Sequence, residues 1–392
     1  MTIIRSLLKW GILCILISLF AGSASALFLV LLDSVTTLRT KYTGLIALLP
    51  MAALISVILY QTIGKKSAKG NQLIVATIEH PSKPLIEWIM APFILFTTLI
   101  AHLCGASVGR EGTALQLSAS LSDQLTRPFK LSDYERAILL KAAVAAGFGS
   151  VFGTPLAGAL FALEFADKKI HFTKNIAPIF ICGFLADQVT LWWGIQHTVY
   201  SITHLPAFNL LSGLQILLAS ILFGVIAFVF KAGLTFTKYS TAKLIPNESW
   251  RAVSGGILIA VVIYSTAIDD FIGLGIPYIL NAYSAPAIPF AFLIKLLLTI
   301  FSLSIGFKGG EVTPLFFIGA TLGSALSLII PLPISFLAGM GMVAVFGAAS
   351  KTPLATALLA YELFGKEYIF YAFVIAFIAS FIAGKKSIYQ PQ

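Results

Sequence analysis

Few side chains in this sequence can carry charge. The stretch Gly105-Ala106-Ser107-Val108-Gly109-Arg110-Glu111-Gly112-Thr113 sets an arginine and a glutamate inside apolar surroundings. An apolar segment from about Pro92 to Cys104 breaks there on glycines and resumes at Thr113-Ala114-Leu115. A glycine break that opens a helix leaves the first backbone N–H groups without intrahelical partners, and the helix dipole adds partial positive charge. Such an end binds anions. A carboxylate placed there can occupy the site itself, so protonating or displacing it opens the site. Glu111 is therefore the first candidate, as a gate that takes up a proton and competes with an anion. Its plainer reading is an ion pair with Arg110. An ionisable residue inside a membrane is a functional candidate by default.

The elements that position this stretch are membrane helices. Hydrophobic residues fill 58% of 392 positions and charged ones 11%, against about a quarter charged in soluble domains; mean hydropathy is +0.95. This composition predicts an all-α polytopic membrane protein. The net charge of +10 does not indicate nucleic acid. The basic residues sit at the ends of apolar runs (Arg5/Lys9, Lys65/Lys66/Lys69, Lys168/Lys169/Lys174, Lys385/Lys386), as positive-inside anchoring requires, and form no basic stripe with interleaved aromatics. Cys14, Cys104 and Cys182 lie in apolar runs without paired spacing, and the five histidines show no metal-ligand spacing, so neither a metal nor a cofactor is expected. The first 26 residues have the look of a signal peptide ending in Ala24-Ser25-Ala26. The apolar run continues to Leu32, which predicts an uncleaved first span.

Further along, apolar segments are uneven. Some fall short of the ~20 residues a span needs, and others approach thirty with internal breaks such as the glycine-rich run 147–155. Interrupted helices are tolerated in a bilayer only where the freed backbone faces protein or a cavity. An internal repeat accompanies the breaks. Thr154-Pro155-Leu156-Ala157 recurs as Thr352-Pro353-Leu354-Ala355, and Gly109-Arg110-Glu111-Gly112-Thr113 is matched by Gly309-Gly310-Glu311-Val312-Thr313. Corresponding interruptions in two halves point to a midplane site at the repeat interface. The repeat predicts halves at 1–203 and 204–392, with no soluble regulatory domain following the last span.

Three motifs in this order, Gly109-Arg110-Glu111-Gly112-Thr113, Gly309-Gly310-Glu311-Val312-Thr313-Pro314 and Lys386-Ser387-Ile388-Tyr389, resemble the anion-pathway signatures of the CLC chloride channel and transporter family. The resemblance runs from about residue 10 to 390. It implies a fold of two inverted repeats with broken and tilted helices, and a homodimer with one pathway per subunit. The sequence departs from the usual chloride pattern. Where chloride members carry Gly-Ser-Gly-Ile-Pro, this chain has Gly70-Asn71-Gln72-Leu73-Ile74. Val312 replaces the phenylalanine of Gly-x-Phe-x-Pro, and the second proton-transfer glutamate would fall at about Phe165. These departures resemble the fluoride branch, whose members exchange fluoride for protons.

The resemblance implies an anion held by backbone amides at Gly109, Arg110, Gly112, Val312 and Thr313, by an amide of Asn71 or Gln72, and by the Tyr389 hydroxyl. Fluoride is small and strongly hydrated, so replacing its water takes several aimed donors. Asn71 and Gln72 offer amide N–H groups, and Thr313 and Tyr389 offer hydroxyls. Residue chemistry does not choose between Asn71 and Gln72, which serve equally as turn residues after Gly70. Chloride would accept the same bonds. Glu311 is either a second proton-handling group or a carboxylate bonded to nearby backbone N–H groups, and Tyr389 is a pore hydroxyl or an interfacial aromatic. Glu362 reads as a structural hydrogen-bonding or interfacial charge; Glu164 has the same reading, with a place beside a proton path as its alternative.

The resulting expectation is a fluoride/proton antiporter of the cytoplasmic (inner) membrane whose partners are fluoride or chloride ions, protons and lipid. A chloride/proton antiporter or chloride channel of the same fold is the alternative. A remote one is an intramembrane serine hydrolase, because Gly105-Ala106-Ser107-Val108-Gly109 fits Gly-x-Ser-x-Gly with His102 nearby. That motif requires a strand–turn–helix setting and a triad, neither of which this stretch provides.

Overall fold

A computed structural model describes residues 2–166, 176–207 and 209–390. Lys168, Lys169, Lys174 and His171 lie outside the described residues. The first eight α-helices are α1 (Thr2–Lys41), α2 (Leu49–Thr62), α3 (Asn71–Glu79), α4 (Met90–Leu103), α5 (Glu111–Asp123), α6 (Asp133–Phe152), α7 (Pro155–Ala166) and α8 (Ala177–Trp192). Eight more follow: α9 (Leu210–Leu244), α10 (Glu248–Thr266), α11 (Ile276–Asn281), α12 (Ala291–Ser304), α13 (Val312–Leu326), α14 (Ile334–Ser350), α15 (Pro353–Phe364) and α16 (Ile369–Ile382). The fold is all-α, and the protein is a multi-pass membrane protein.

Local signals place the breaks. Ser132 and Glu135 form a capping box that starts α6, which ends at Gly153 in the left-handed region; Thr154 intervenes, and Pro155 opens α7. Proline suits the first turn because its missing N–H is not needed there. The apolar run 137–166 is therefore two helices. In the second half Pro353 opens α15 in the same way, after Lys351 adopts φ 65°. Among the described residues, four stretches are long and apolar enough to cross a membrane alone: Ile4–Lys41, Thr43–Thr62, Leu210–Leu244 and Glu248–Thr266. The shorter apolar helices, among them α4, α7, α13 and α15, must satisfy their ends against protein.

How they do so is visible where the halves meet. Glu164, in the last turn of α7, accepts hydrogen bonds from Leu354 N at 3.1 Å and Ala355 N at 2.7 Å, the first turn of α15. Glu362, near the end of α15, accepts from Leu156 N at 2.9 Å and Ala157 N at 2.8 Å, the first turn of α7. Each helix thus ends in a carboxylate that fills the other's open N-terminus, where charge–dipole attraction adds to the hydrogen bonds. This exchange gives Glu362 the structural role expected for it and gives Glu164 the same one.

Close backbone approach tightens one helix contact of a core otherwise built from buried apolar side chains. Gly319 of α13 and Gly341 of α14 leave no room for a Cβ, each facing the other's backbone carbonyl. Small residues at helix contacts are how membrane helices gain van der Waals packing without a hydrophobic drive. One buried ion pair braces the first half: Arg136 of α6 donates to Asp123 of α5 through Nε at 2.8 Å and Nη2 at 2.6 Å. The same guanidinium donates to Pro81 O at 2.5 Å, to Lys83 O and to Pro84 O at 3.1 Å, and Asp123 accepts from Ile86 N at 2.8 Å. The loop between α3 and α4 is so tied to the helices beneath the site.

Candidate anion site

Two broken segments meet at the centre of the molecule. Gly109 N donates to Gly310 O at 2.5 Å and Gly310 N donates to Gly109 O at 2.8 Å, a short antiparallel bridge between the two repeated motifs. Immediately beyond it α5 starts at Glu111 and α13 at Val312, so two helix N-termini converge. Contact here is as close as backbone allows. A Cβ on Gly310 would sit 2.5 Å from Gly112 N, and one on Gly112 would sit 2.9 Å from Gly310 Cα and 3.0 Å from Asn71 Nδ2.

Glu111 is fully buried, and its side chain crosses from its own helix to the other. Oε2 accepts from Thr313 N at 3.1 Å, and Oε1 accepts from the Thr313 hydroxyl. Arg110 Nε stands 3.5 Å from Oε1. Glu111 thus lies beside Arg110 and also occupies the N-terminus of α13, whose N–H and O–H donors are of the kind that hold anions. The expectation that Gly109 lends its amide to an ion differs from this geometry, because that N–H is spent on Gly310 O. Thr313 N is likewise held by the carboxylate and becomes free only when Glu111 leaves.

Glu311 stands at the N-cap position of α13 without a side-chain capping bond. Its Oε2 is buried with no hydrogen-bond partner among the described residues, and it lies within electrostatic reach of Glu111 and Lys238. Tyr389 is 2% exposed, so an interfacial aromatic belt is not its setting. Its Oη is buried and unpartnered among the described residues, within electrostatic reach of both glutamates. The segment that carries it is pinned to the end of α14 by Ser387 Oγ donating to Ser350 O at 2.7 Å and Ile388 N donating to Ala349 O at 3.1 Å. An unbonded buried hydroxyl and an unbonded carboxylate oxygen, both within electrostatic reach of Glu111, lack the partners that buried polar groups ordinarily have.

Asn71 opens α3 after Gly70, whose φ is 53°, and its amide lies beside the Gly112–Gly310 contact. Among the described residues no hydrogen bond draws Gln72 into that junction. Asn71 is held in place by Gln116, whose Nε2 donates to Asn71 Oδ1 at 3.3 Å, leaving the Asn71 NH2 aimed at the glycines. Gln116 was not singled out from the sequence; the available signal was an amide in the otherwise apolar second turn of α5. A wall of aromatic rings was missed as well. Phe165, at the place of the missing family glutamate, packs edge-on against Tyr389 at 4.9 Å, and Phe161 does so at 6.0 Å. Phe148 stacks on Phe161 at 4.6 Å and touches Phe152, over which Arg110 lies at 5.8 Å. The rings run in contact from Arg110 to Tyr389.

Arg110 also lines a cavity of about 800 Å³ that includes Arg39, Asp269, Asp270 and His197, at the end of the molecule where α1 finishes. His197 Nε2 pairs there with Asp187 Oδ1 at 3.1 Å. The hydrolase alternative finds no support in this arrangement. Ser107 Oγ bonds Thr299 Oγ1 at 2.8 Å, and neither ring nitrogen of His102 bonds any described residue, so no Ser–His dyad is assembled.

Comparison with known proteins agrees with this architecture. The family model described as voltage gated chloride channel matches residues 51–384. A chloride/fluoride channel protein of Pseudomonas syringae pv. tomato is 44% identical, covering 98% of this chain and 86% of that protein. The H(+)/Cl(-) exchange transporter ClcA of Vibrio campbellii is 26% identical over 76% of this chain and 67% of its own length. Among solved structures, a CLC-type fluoride/proton antiporter superposes with a TM-score of 0.94 at 29% identity, covering 98% of this chain and 97% of that one. A slow cyanobacterial Cl−/H+ antiporter superposes at 0.84 with 20% identity, covering 97% and 96%, and there the likeness is one of fold. With the paired helix breaks, the Glu111 and Glu311 motifs and the family match over most of its length, the chain belongs to the CLC family of voltage-gated chloride channels and transporters.

Proposed function

We propose that this protein exchanges fluoride for protons and exports fluoride across the cytoplasmic membrane. The observation that carries the proposal is the position of Glu111, a carboxylate docked as an anion on the donors of Thr313. Competition then supplies the coupling. A fluoride ion at the α13 N-terminus needs the donors that Glu111 holds, and Glu111 releases them once a proton neutralises its charge. Arg110 steadies the charged form. Asn71 Nδ2 and Tyr389 Oη are the side-chain donors free to complete the ion's shell, and Glu311 is the second carboxyl able to hold a proton beside the first.

Fluoride is favoured over chloride by two observations. Asn71 supplies an amide where chloride members carry a serine, adding donors suited to a small, strongly hydrated ion. The solved structure that superposes at 0.94 is a fluoride/proton antiporter. The Pseudomonas relative is called a channel, so antiport and channel conduction make different demands on experiment. The division into halves at 203/204 is part of the same proposal, supported by eight described helices on each side of the segment between α8 and α9, and a homodimer with one pathway per subunit completes it.

The test is efflux from proteoliposomes loaded with fluoride or chloride, with external pH recorded. The expected outcome is fluoride release accompanied by proton uptake, with little chloride release. Equal chloride release would assign the protein to chloride transport, and fluoride release without proton movement would make it a channel.

A further inference from the structure

A second cavity, of about 370 Å³, opens at the end of the molecule opposite the Arg39 cavity, between α2, α9, α10, the end of α12 and the loop that leads to α13. Three cations line it, Lys238, Arg251 and Lys308, against one carboxylate, Glu248. Glu248 is half exposed and already engaged: it accepts from Gln61 Nε2 at 2.8 Å and lies 4.0 Å from Arg251 Nη2. The walls carry more unused donors. Ser304 Oγ and Arg251 Nε line the cavity, are buried, and have no hydrogen-bond partner among the described residues; Tyr60 Oη lies beside the Thr97 hydroxyl. Ser304 and Tyr60 are 7% and 6% exposed, and the Thr97 hydroxyl beside Tyr60 donates to Phe93 O at 2.7 Å. Lys308 Nζ lies 4.5 Å over the Tyr60 ring and spends one N–H on Ala68 O at 3.3 Å.

Buried polar groups without partners are uncommon in folded proteins. Here they share one cavity with a net excess of two positive charges, and every one of them can donate. The ligand that satisfies donors from several walls together is an oxyanion with several acceptor oxygens, and the volume far exceeds a single halide. Its position is that of a headgroup. Lys65, Lys66, Lys69 and Lys243 lie at the same end of the helices, which positive-inside anchoring assigns to the cytoplasm, and Val57 and Leu303 form an apolar side to the cavity. Basic pockets between membrane helices on that face suit anionic headgroups. We propose that this cavity binds a phosphate group, that of an anionic phospholipid. Lys308 would carry its occupancy inward, because it joins the loop before Asn71 to the loop before Glu311. Binding itself does not depend on which ion the protein transports.

The test uses the full-length protein in nanodiscs of phosphatidylcholine doped with phosphatidylglycerol, with co-purifying lipid counted by native mass spectrometry. Wild type is expected to retain phosphatidylglycerol. Lys238→Gln/Arg251→Gln is expected to retain at least tenfold less, Ser304→Ala severalfold less, and Lys243→Gln, whose side chain lies outside the cavity, the wild-type amount. A parallel arm adds inorganic phosphate to protein in phosphatidylcholine alone. Thermal stabilisation of wild type but not of Lys238→Gln/Arg251→Gln in that arm, without phosphatidylglycerol enrichment, would identify free phosphate as the source. Equal lipid retention by all four proteins, with no effect of phosphate, would overturn the proposal.

Discussion

Replacing Thr313 by valine probes the competition between carboxylate and ion with almost no change of shape. The hydroxyl that donates to Glu111 Oε1 disappears, while the backbone N–H that donates to Oε2 at 3.1 Å stays. A hydrogen bond to a charged group contributes about 1.5–3 kcal/mol. Weakening the docked carboxylate by that amount shifts its balance with a competing anion by roughly 10- to 150-fold, at about 1.4 kcal/mol per factor of ten. The same hydroxyl could also serve fluoride directly, so the variant is measured in two backgrounds. In Glu111→Ala only the direct contribution remains; in the wild-type background the relief of competition is added. Calorimetric fluoride titrations of the four proteins give the interaction term by a double-mutant cycle. The expected coupling is about 1.5–3 kcal/mol, with Thr313→Val favouring fluoride more when Glu111 is present. Equal effects of Thr313→Val in the two backgrounds would refute competition for one site.

Further outcomes follow from particular contacts. Gly310→Ala drives a Cβ to within 2.5 Å of Gly112 N; overpacking of this kind costs about 1–3 kcal/mol, and transport should be lost while the protein still purifies as wild type does, checked by flux and size-exclusion chromatography. Tyr389→Phe removes a hydroxyl that bonds no described residue, so thermal stability should hold while fluoride affinity falls by about tenfold or more, the value of a hydrogen bond to a charged group. Arg136→Met strands Asp123 and should destabilise by about 3–5 kcal/mol, and Asp123→Leu added to it should recover much of that loss in thermal unfolding.

The sequence disclosed the parts of this molecule that are written locally. Helix breaks are marked by glycine and proline, so the boundary at Gly153–Pro155 and the N-termini at Glu111 and Val312 could be read from residues within a turn of them. Glu111 stood out because a charge in an apolar run has few innocuous explanations. Pairings across the chain were not legible. Gln116 meets Asn71 over a separation of 45 residues, and Glu362 meets Leu156 over 206; neither spacing leaves a periodic trace. The same limit hid the commitment of Gly109 N to Gly310 O, since a glycine break announces free amides without saying what takes them. It also left Asn71 and Gln72 equivalent, because only the start of α3 against the Gly112–Gly310 contact separates them. The aromatic wall was invisible for a different reason: in a chain with 31 phenylalanines, no single one is conspicuous.

The most direct test of the account is proton movement during fluoride efflux from proteoliposomes bearing Glu111→Gln, which keeps the size of the side chain and removes its charge and its proton uptake. The account predicts that proton uptake coupled to fluoride efflux disappears in this variant while the protein remains folded. Proton uptake that continues in the wild-type ratio to fluoride would contradict it, and the coupling role would then have to pass to another group.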